Sequence, residues 1–114
     1  MIILGEIITL KRNNDFRRLY SRGRSYASSV LVTYVMRNRC GNVRIGITTS
    51  KKIGKAVLRN RSRRIIREAY RALSGEVRQG VDLVFVARGK TPYVKTGDIL
   101  RAMRKELKEA GVLK

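Results

Sequence analysis

SKKIGKAVLRNRSRRIIREAYRALSG, residues 50–75, decides how this chain is read, because its apolar positions abandon two-residue spacing and recur every three or four. With Leu58 at zero and a step of about 100° per residue, Leu58, Ile65, Ile66, Ala69, Ala72 and Leu73 share one narrow sector. Arg59, Arg63, Arg64, Arg67 and Arg71 fill the opposite one. The spacing predicts a long amphipathic helix, entered sharply at Gly54 and capped at Gly75. Lys51, Lys52, Lys55, Arg59, Arg61, Arg63, Arg64, Arg67 and Arg71 face a single acid in this stretch, Glu68. An ordinary solvated helix mixes signs at three- and four-residue spacing, which offsets self-repulsion. A one-sided row of guanidinium forks is costly alone and favourable against a phosphate backbone.

Working outward, residues 28–36 (SSVLVTYVM) are rich in β-branched side chains and read as a strand, with Val30, Val32, Tyr34 and Met36 on one face and Leu31, Thr33 and Val35 on the other. A polar turn through Cys40, Gly41 and Asn42 leads to a second strand at 43–49, and the two are expected to pair as an antiparallel hairpin. Upstream, Asn14 or Asp15 is expected to cap a short helix reaching about Tyr20, broken by Arg22, Gly23 and Arg24. Downstream, VDLVFVA (Val81–Ala87) is apolar at nearly every position and reads as a buried strand. A last helix begins at Thr91 or Thr96, buries Ile99, Met103, Leu107 and Ala110, and stops at Gly111. Helix, hairpin, helix, strand, helix is an α/β (α+β) order, most economically a small sheet covered by helices.

Composition narrows function by exclusion. The 114 residues hold 27 Lys+Arg against 8 Asp+Glu, a formal charge of +19, while a 43% hydrophobic fraction can still build one core. There is no His and a single cysteine, Cys40, so no Cys/His metal cluster, no Ser/His/Asp triad and no internal disulfide can form. The eight acids are scattered along the chain, which argues against a metal site made by protein side chains alone. Residues 1–10 are apolar but interrupted by Gly5 and Glu6, and they predict neither a membrane span nor a cleavable leader. A reducing, cytoplasmic setting is expected, with Cys40 an exposed, incidental thiol. So large a positive field gathers polyanions, nucleic acid foremost.

Gly46 to Ala56 superficially suggests a phosphate-binding loop, but Thr49 stands where a Walker loop needs its first glycine, and Ala56 where it needs Ser or Thr. The aromatics point elsewhere. Phe16 and Tyr20 lie four apart on the first helix and Tyr34 on a strand face beside Val32. They are expected either to pack in a core or to line a shallow groove for unpaired bases, flanked by Lys11, Arg12, Arg17 and Arg18. Tyr26, Tyr70 and Tyr93 have no comparable grouping.

The run Lys51-Lys52-Ile53-Gly54-Lys55-Ala56-Val57-Leu58-Arg59-Asn60-Arg61, followed by Arg63-Arg64 and Arg67-Glu68, resembles the RNR signature of the bacterial ribonuclease P protein family. Leu10-Lys11, Asp15-Phe16, Tyr20 and Gly23 resemble that family's opening helix, and residues 32–34 its first strand. The resemblance implies a single-domain α/β sandwich over residues 10–114 behind an extension of residues 1–9. It further implies a left-handed crossover from the second strand through the RNR helix to the third, a hand that sequence pattern cannot supply. It implies no catalytic side chain: a catalytic RNA, carrying the magnesium ions, removes the 5′ leader of precursor tRNA, in a complex with one protein per RNA and no membrane. Carried over residue by residue, catalytic-RNA contacts fall to Lys51, Lys52, Lys55, Arg59, Asn60, Arg61, Arg63, Arg64 and Arg67. Leader contacts fall to Phe16, Arg17, Tyr20, Val32 and Tyr34. The competing expectation is a general basic RNA binder, ribosomal or chaperone-like, with no part in cleavage.

Overall fold

The computed structural model describes residues 8–114, so the expectations for residues 1–7 lie outside it. In chain order the elements are β1 (Ile8–Thr9), α1 (Asn13–Arg22), β2 (Arg24–Ala27), β3 (Leu31–Arg37), β4 (Arg44–Thr48), α2 (Ala56–Leu73), β5 (Val81–Ala87) and α3 (Thr96–Glu109). They form a mixed α+β domain with one sheet of order β1-β4-β5-β3-β2. Of the first nine residues, Ile8 and Thr9 extend the sheet by pairing in parallel with Arg44 and Ile45.

The expected β3–β4 hairpin is not formed, because β5 lies between the two strands, antiparallel to β3 and parallel to β4. Residues 38–43 make this possible by arching over the start of β5. Asn38 N donates to the Gly80 carbonyl at 2.8 Å, and Gly80 N donates to the Asn42 carbonyl at 3.2 Å. The Asp82 carboxylate, 1% exposed, then ties the three strands together. It accepts from Arg44 Nε at 2.8 Å, Arg44 Nη2 at 2.7 Å and Asn38 Nδ2 at 2.7 Å. These bonds hold the Arg44 guanidinium above its ordinary pKa. The hairpin that does form joins β2 to β3, with Arg24 opposite Val35 and Ala27 opposite Val32. The segment expected only to end the first helix therefore runs directly into an edge strand.

Period-two alternation sends the odd positions of β3 and β5 to one side of the sheet and the even positions to the other. Leu31, Leu83 and Phe85 meet α2 and α3 there, in the main core with Ile65, Ile66, Ala69, Leu73, Ile99, Met103 and Leu107. Val30 lies before β3 and packs on this side too, not with Val32 and Tyr34 as the alternation suggested. Leu10, Leu19 and Val84 form a smaller cluster under α1 on the opposite face. Along α2, Ala72 is exposed and Ser62 and Tyr70 are buried, correcting the apolar sector. Ser62 is accommodated because its hydroxyl donates to the Leu58 carbonyl at 2.9 Å. Tyr70 rests against Phe85 with ring centroids 5.7 Å apart, and burial pushes its phenol up to about 12.

The helix ends also differ in detail. Gly75 is not a left-handed cap; α2 passes from Leu73 into a 3-10 turn, Ser74–Glu76. Arg12, without a side-chain cap, precedes α1, and Asp15 falls inside its first turn. Thr91 belongs to a separate 3-10 turn, Thr91–Tyr93, while α3 starts at Thr96 with Asp98 accepting from Lys95 N at 3.0 Å. Gly54 and Gly111 take the positive φ values, 130° and 75°, that a sharp entry into α2 and the stop of α3 require.

Glu106 on α3 is 2% exposed, and neither carboxylate oxygen has a hydrogen-bond partner among the described residues. Burial pushes its carboxyl up to about 7. The folded state therefore holds this proton more tightly than the unfolded chain, so stability is full below the unfolded pKa and falls as pH rises through about 7. Urea unfolding at pH 5 and pH 7.5 is expected to show a loss of at most about 3 kcal/mol from this group. Glu106→Gln removes that part of the pH dependence; an equal slope in the variant would assign it elsewhere.

Candidate nucleic-acid interface

The cleft starts from a glycine. On β4, any Cβ at Gly46 would stand 2.6 Å from Cε1 and Cζ of Phe16, so only glycine lets this ring of α1 settle against the sheet. Phe16 becomes half-buried, joining Tyr34, Met36 and Val86 around Leu19 and Val84. One turn later Tyr20 remains 42% exposed. Its hydroxyl lies 2.9 Å from Thr48 Oγ1, and its ring meets Tyr34 edge to face, centroids 5.0 Å apart at 78°. Tyr20 thus bridges β4 and β3 over β5. Phe16, Tyr20 and Tyr34 come together as the sequence suggested: Phe16 serves the small core, while Tyr20 keeps an open face. Val32, half-buried, is two residues from Tyr34 on the same strand face. Arg17 is exposed and lies about 60° round α1 from Tyr20, with Lys11, Arg12 and Arg18 also exposed.

The chain leaves this cleft at Thr48 and enters the basic segment within three residues. Lys51 and Lys52 form a 3-10 turn with Ile53, in which Lys52 N donates to Ser50 Oγ at 3.3 Å. Lys55 follows as the residue before α2. Lys51, Lys52, Lys55, Asn60, Arg61, Arg63, Arg64 and Arg67 are exposed and Arg59 is half-exposed. Three of these have local duties. Arg63 Nη1 donates to Asn60 Oδ1 at 3.2 Å, and Arg61 Nε donates to the Pro92 carbonyl at 2.6 Å, strapping α2 to the turn before α3. Sequence reasoning missed that strap; Arg61 sits at the border of the apolar sector, which is the available signal.

The ion pairs among the described residues are Arg44–Asp82, Arg101–Asp98 and Arg104–Glu76, none of which involves a basic residue of 51–71. Glu68, the one acid of α2, accepts instead from Thr96 Oγ1 at 3.2 Å, turned toward α3. No basic residue of 51–71 is therefore ion-paired with a carboxylate among the described residues. Among those residues, no group of three or more His, Cys, Asp or Glu side chains is placed to hold a metal ion.

Known proteins resemble the chain in sequence and in fold. A family model described as Ribonuclease P matches residues 5–111. A Clostridium botulinum (strain Loch Maree / Type A3) protein named ribonuclease P protein component is 44% identical over 104 residues, covering 90% of this chain and 94% of its own length. A Thermoanaerobacter sp. (strain X514) protein of the same name is 42% identical over 100 residues, 88% of this chain and 86% of its own. Among solved structures, the RNase P protein of Staphylococcus aureus superposes with a TM-score of 0.83 at 34% identity, over 96% of this chain and 100% of that one. That of Thermotoga maritima gives 0.79 at 28% identity, over 89% and 96%. The chain belongs to the ribonuclease P protein family.

Proposed function

We propose that this chain binds the ribonuclease P RNA through the exposed side of α2 and the Lys51–Ile53 turn, and holds the 5′ leader of precursor tRNA in the cleft between α1 and the sheet. The observation that carries this reading is the aromatic cleft of Phe16, Tyr20 and Tyr34 joined, through the Tyr20–Thr48 contact, to a basic segment with no ion pair of its own among the described residues. Unpaired bases stack on aromatic rings, and guanidinium and ammonium groups take phosphates. Magnesium, held by the RNA, supplies the activation of water for phosphodiester hydrolysis. The side chains of this protein bind and orient. Lys51 and Lys52, at the junction, lower the repulsion between two converging phosphate chains, which otherwise demands more divalent cation. Holding the leader fixes the scissile bond relative to the RNA, a contribution of positioning. The complex is one protein to one RNA and works in the cytoplasm.

The deciding experiment is cleavage of 5′-labelled precursor tRNA at low magnesium by protein, by ribonuclease P RNA and by the mixture. Cleavage at the mature 5′ end only in the mixture is expected; cleavage by protein alone, or no rescue in the mixture, leaves a different enzyme or a general RNA binder. Tyr20→Ala or Tyr34→Ala is expected to weaken precursor binding by about 1–3 kcal/mol per lost stack and to leave mature tRNA binding unchanged. Equal losses on both ligands would remove the leader from the cleft. Arg63→Ala or Arg67→Ala is expected to weaken binding to the catalytic RNA and to lower the salt slope by about one per phosphate contact. A salt titration with an unchanged slope would take the RNA off this face.

A further inference from the structure

A cavity of about 730 Å³ opens beyond the end of α1, between β2, β3, the start of β5 and the turn after α3. Arg22, Arg24, Arg37 and Arg78 reach it from four separate segments, and no carboxylate stands in its wall among the described residues. The rest of its wall combines the polar Asn38 and Gln79 with an apolar and aromatic part formed by Tyr26, Val35, Val81 and Val112. We infer that this cavity is a nucleotide-binding site for single-stranded RNA, the arginines taking the phosphate and Tyr26 with the valine wall taking the base.

The arginines are not needed by the end of α3. Its last carbonyls are met by its own closing turn: Ala110 N donates to Glu106 O at 3.0 Å, Gly111 N to Lys108 O at 3.0 Å and Val112 N to Leu107 O at 3.1 Å. Only Arg78 has a local duty among the described residues, its Nε donating to the Leu113 carbonyl at 3.2 Å. Four guanidiniums gathered without an acid repel one another, and a phosphate relieves that cost with bidentate hydrogen bonds. Phosphate alone would leave most of the volume and the apolar wall unused, whereas a nucleotide uses both. Met36, of the cluster under α1, also lines this cavity.

The test is an amide chemical-shift titration of the full chain with adenosine 5′-monophosphate, adenosine, inorganic phosphate and hexaglutamate. Saturable shifts at Gly80, Gly111 and Val112 are expected with the nucleotide, and about tenfold weaker binding with adenosine or phosphate. Arg24→Gln combined with Arg37→Gln, both exposed positions, is expected to abolish those shifts, and Arg63→Ala to retain them. Unmoved amides, equal binding of phosphate or hexaglutamate, or an unaffected double variant would overturn the site. Neither catalytic RNA nor precursor is needed, so this result stands apart from the proposed function. With RNA, loss of affinity in the double variant that grows with leader length assigns the bound nucleotide to the leader. Loss on the isolated catalytic RNA assigns it there, and no loss on either overturns the proposal.

Discussion

The sheet depends on one buried carboxylate. Asp82 sits on the central strand, and its hydrogen bonds to Arg44 and Asn38 reach the strands on either side. A charge buried this deeply is tolerated only when paired, and breaking such a pair costs about 3–5 kcal/mol. The same bonds select the strand order. A chain that paired β3 directly with β4 would leave Asp82 without one of its partners, so the polar pin disfavours the simpler hairpin as well as stabilising the observed sheet.

With β5 in the centre, both faces of the sheet must be covered, and the two coverings are unequal. The pair α2 and α3 buries the larger core, while α1 is short and seats only Leu19 fully. What α1 leaves uncovered is the strand face carrying Val32, Tyr34, Thr48 and Val86, all half-buried. The cleft is thus the consequence of a ten-residue helix lying on a five-stranded sheet, sharpened at one point by the close approach of Phe16 to Gly46.

Periodicity makes the elements legible and leaves their neighbours open. The core face of α2 is legible at Ile65, Ile66, Ala69 and Leu73 because burial imposes a 3.6-residue period, and the burial of Val81–Ala87 is legible because nearly every position is apolar. Strand order is not legible, since pairing depends on Asp82 and Asn38, forty-four residues apart in sequence. Glu106 could have been found: relative to Ile99 it lies at about 340°, inside the buried stripe of α3, but its charge argues against that position. In the candidate interface, the shared face of Phe16 and Tyr20 is legible from spacing, whereas their meeting with Tyr34, the contact with Thr48 and the strap from Arg61 to Pro92 require the fold.

The distribution of acids explains the open basic face. Asp82 is engaged in the sheet, Asp98 with the start of α3 and with Arg101, Glu76 with Arg104 and Glu68 with Thr96, while Glu106 is buried. None of these forms an ion pair with a basic residue of 51–71. The folded protein therefore carries electrostatic self-repulsion that its own structure does not relieve, and folding stability is lower for it. Phosphate arriving from outside relieves the same repulsion, so part of the binding free energy is the recovery of what folding gave up, and binding and folding are thermodynamically linked.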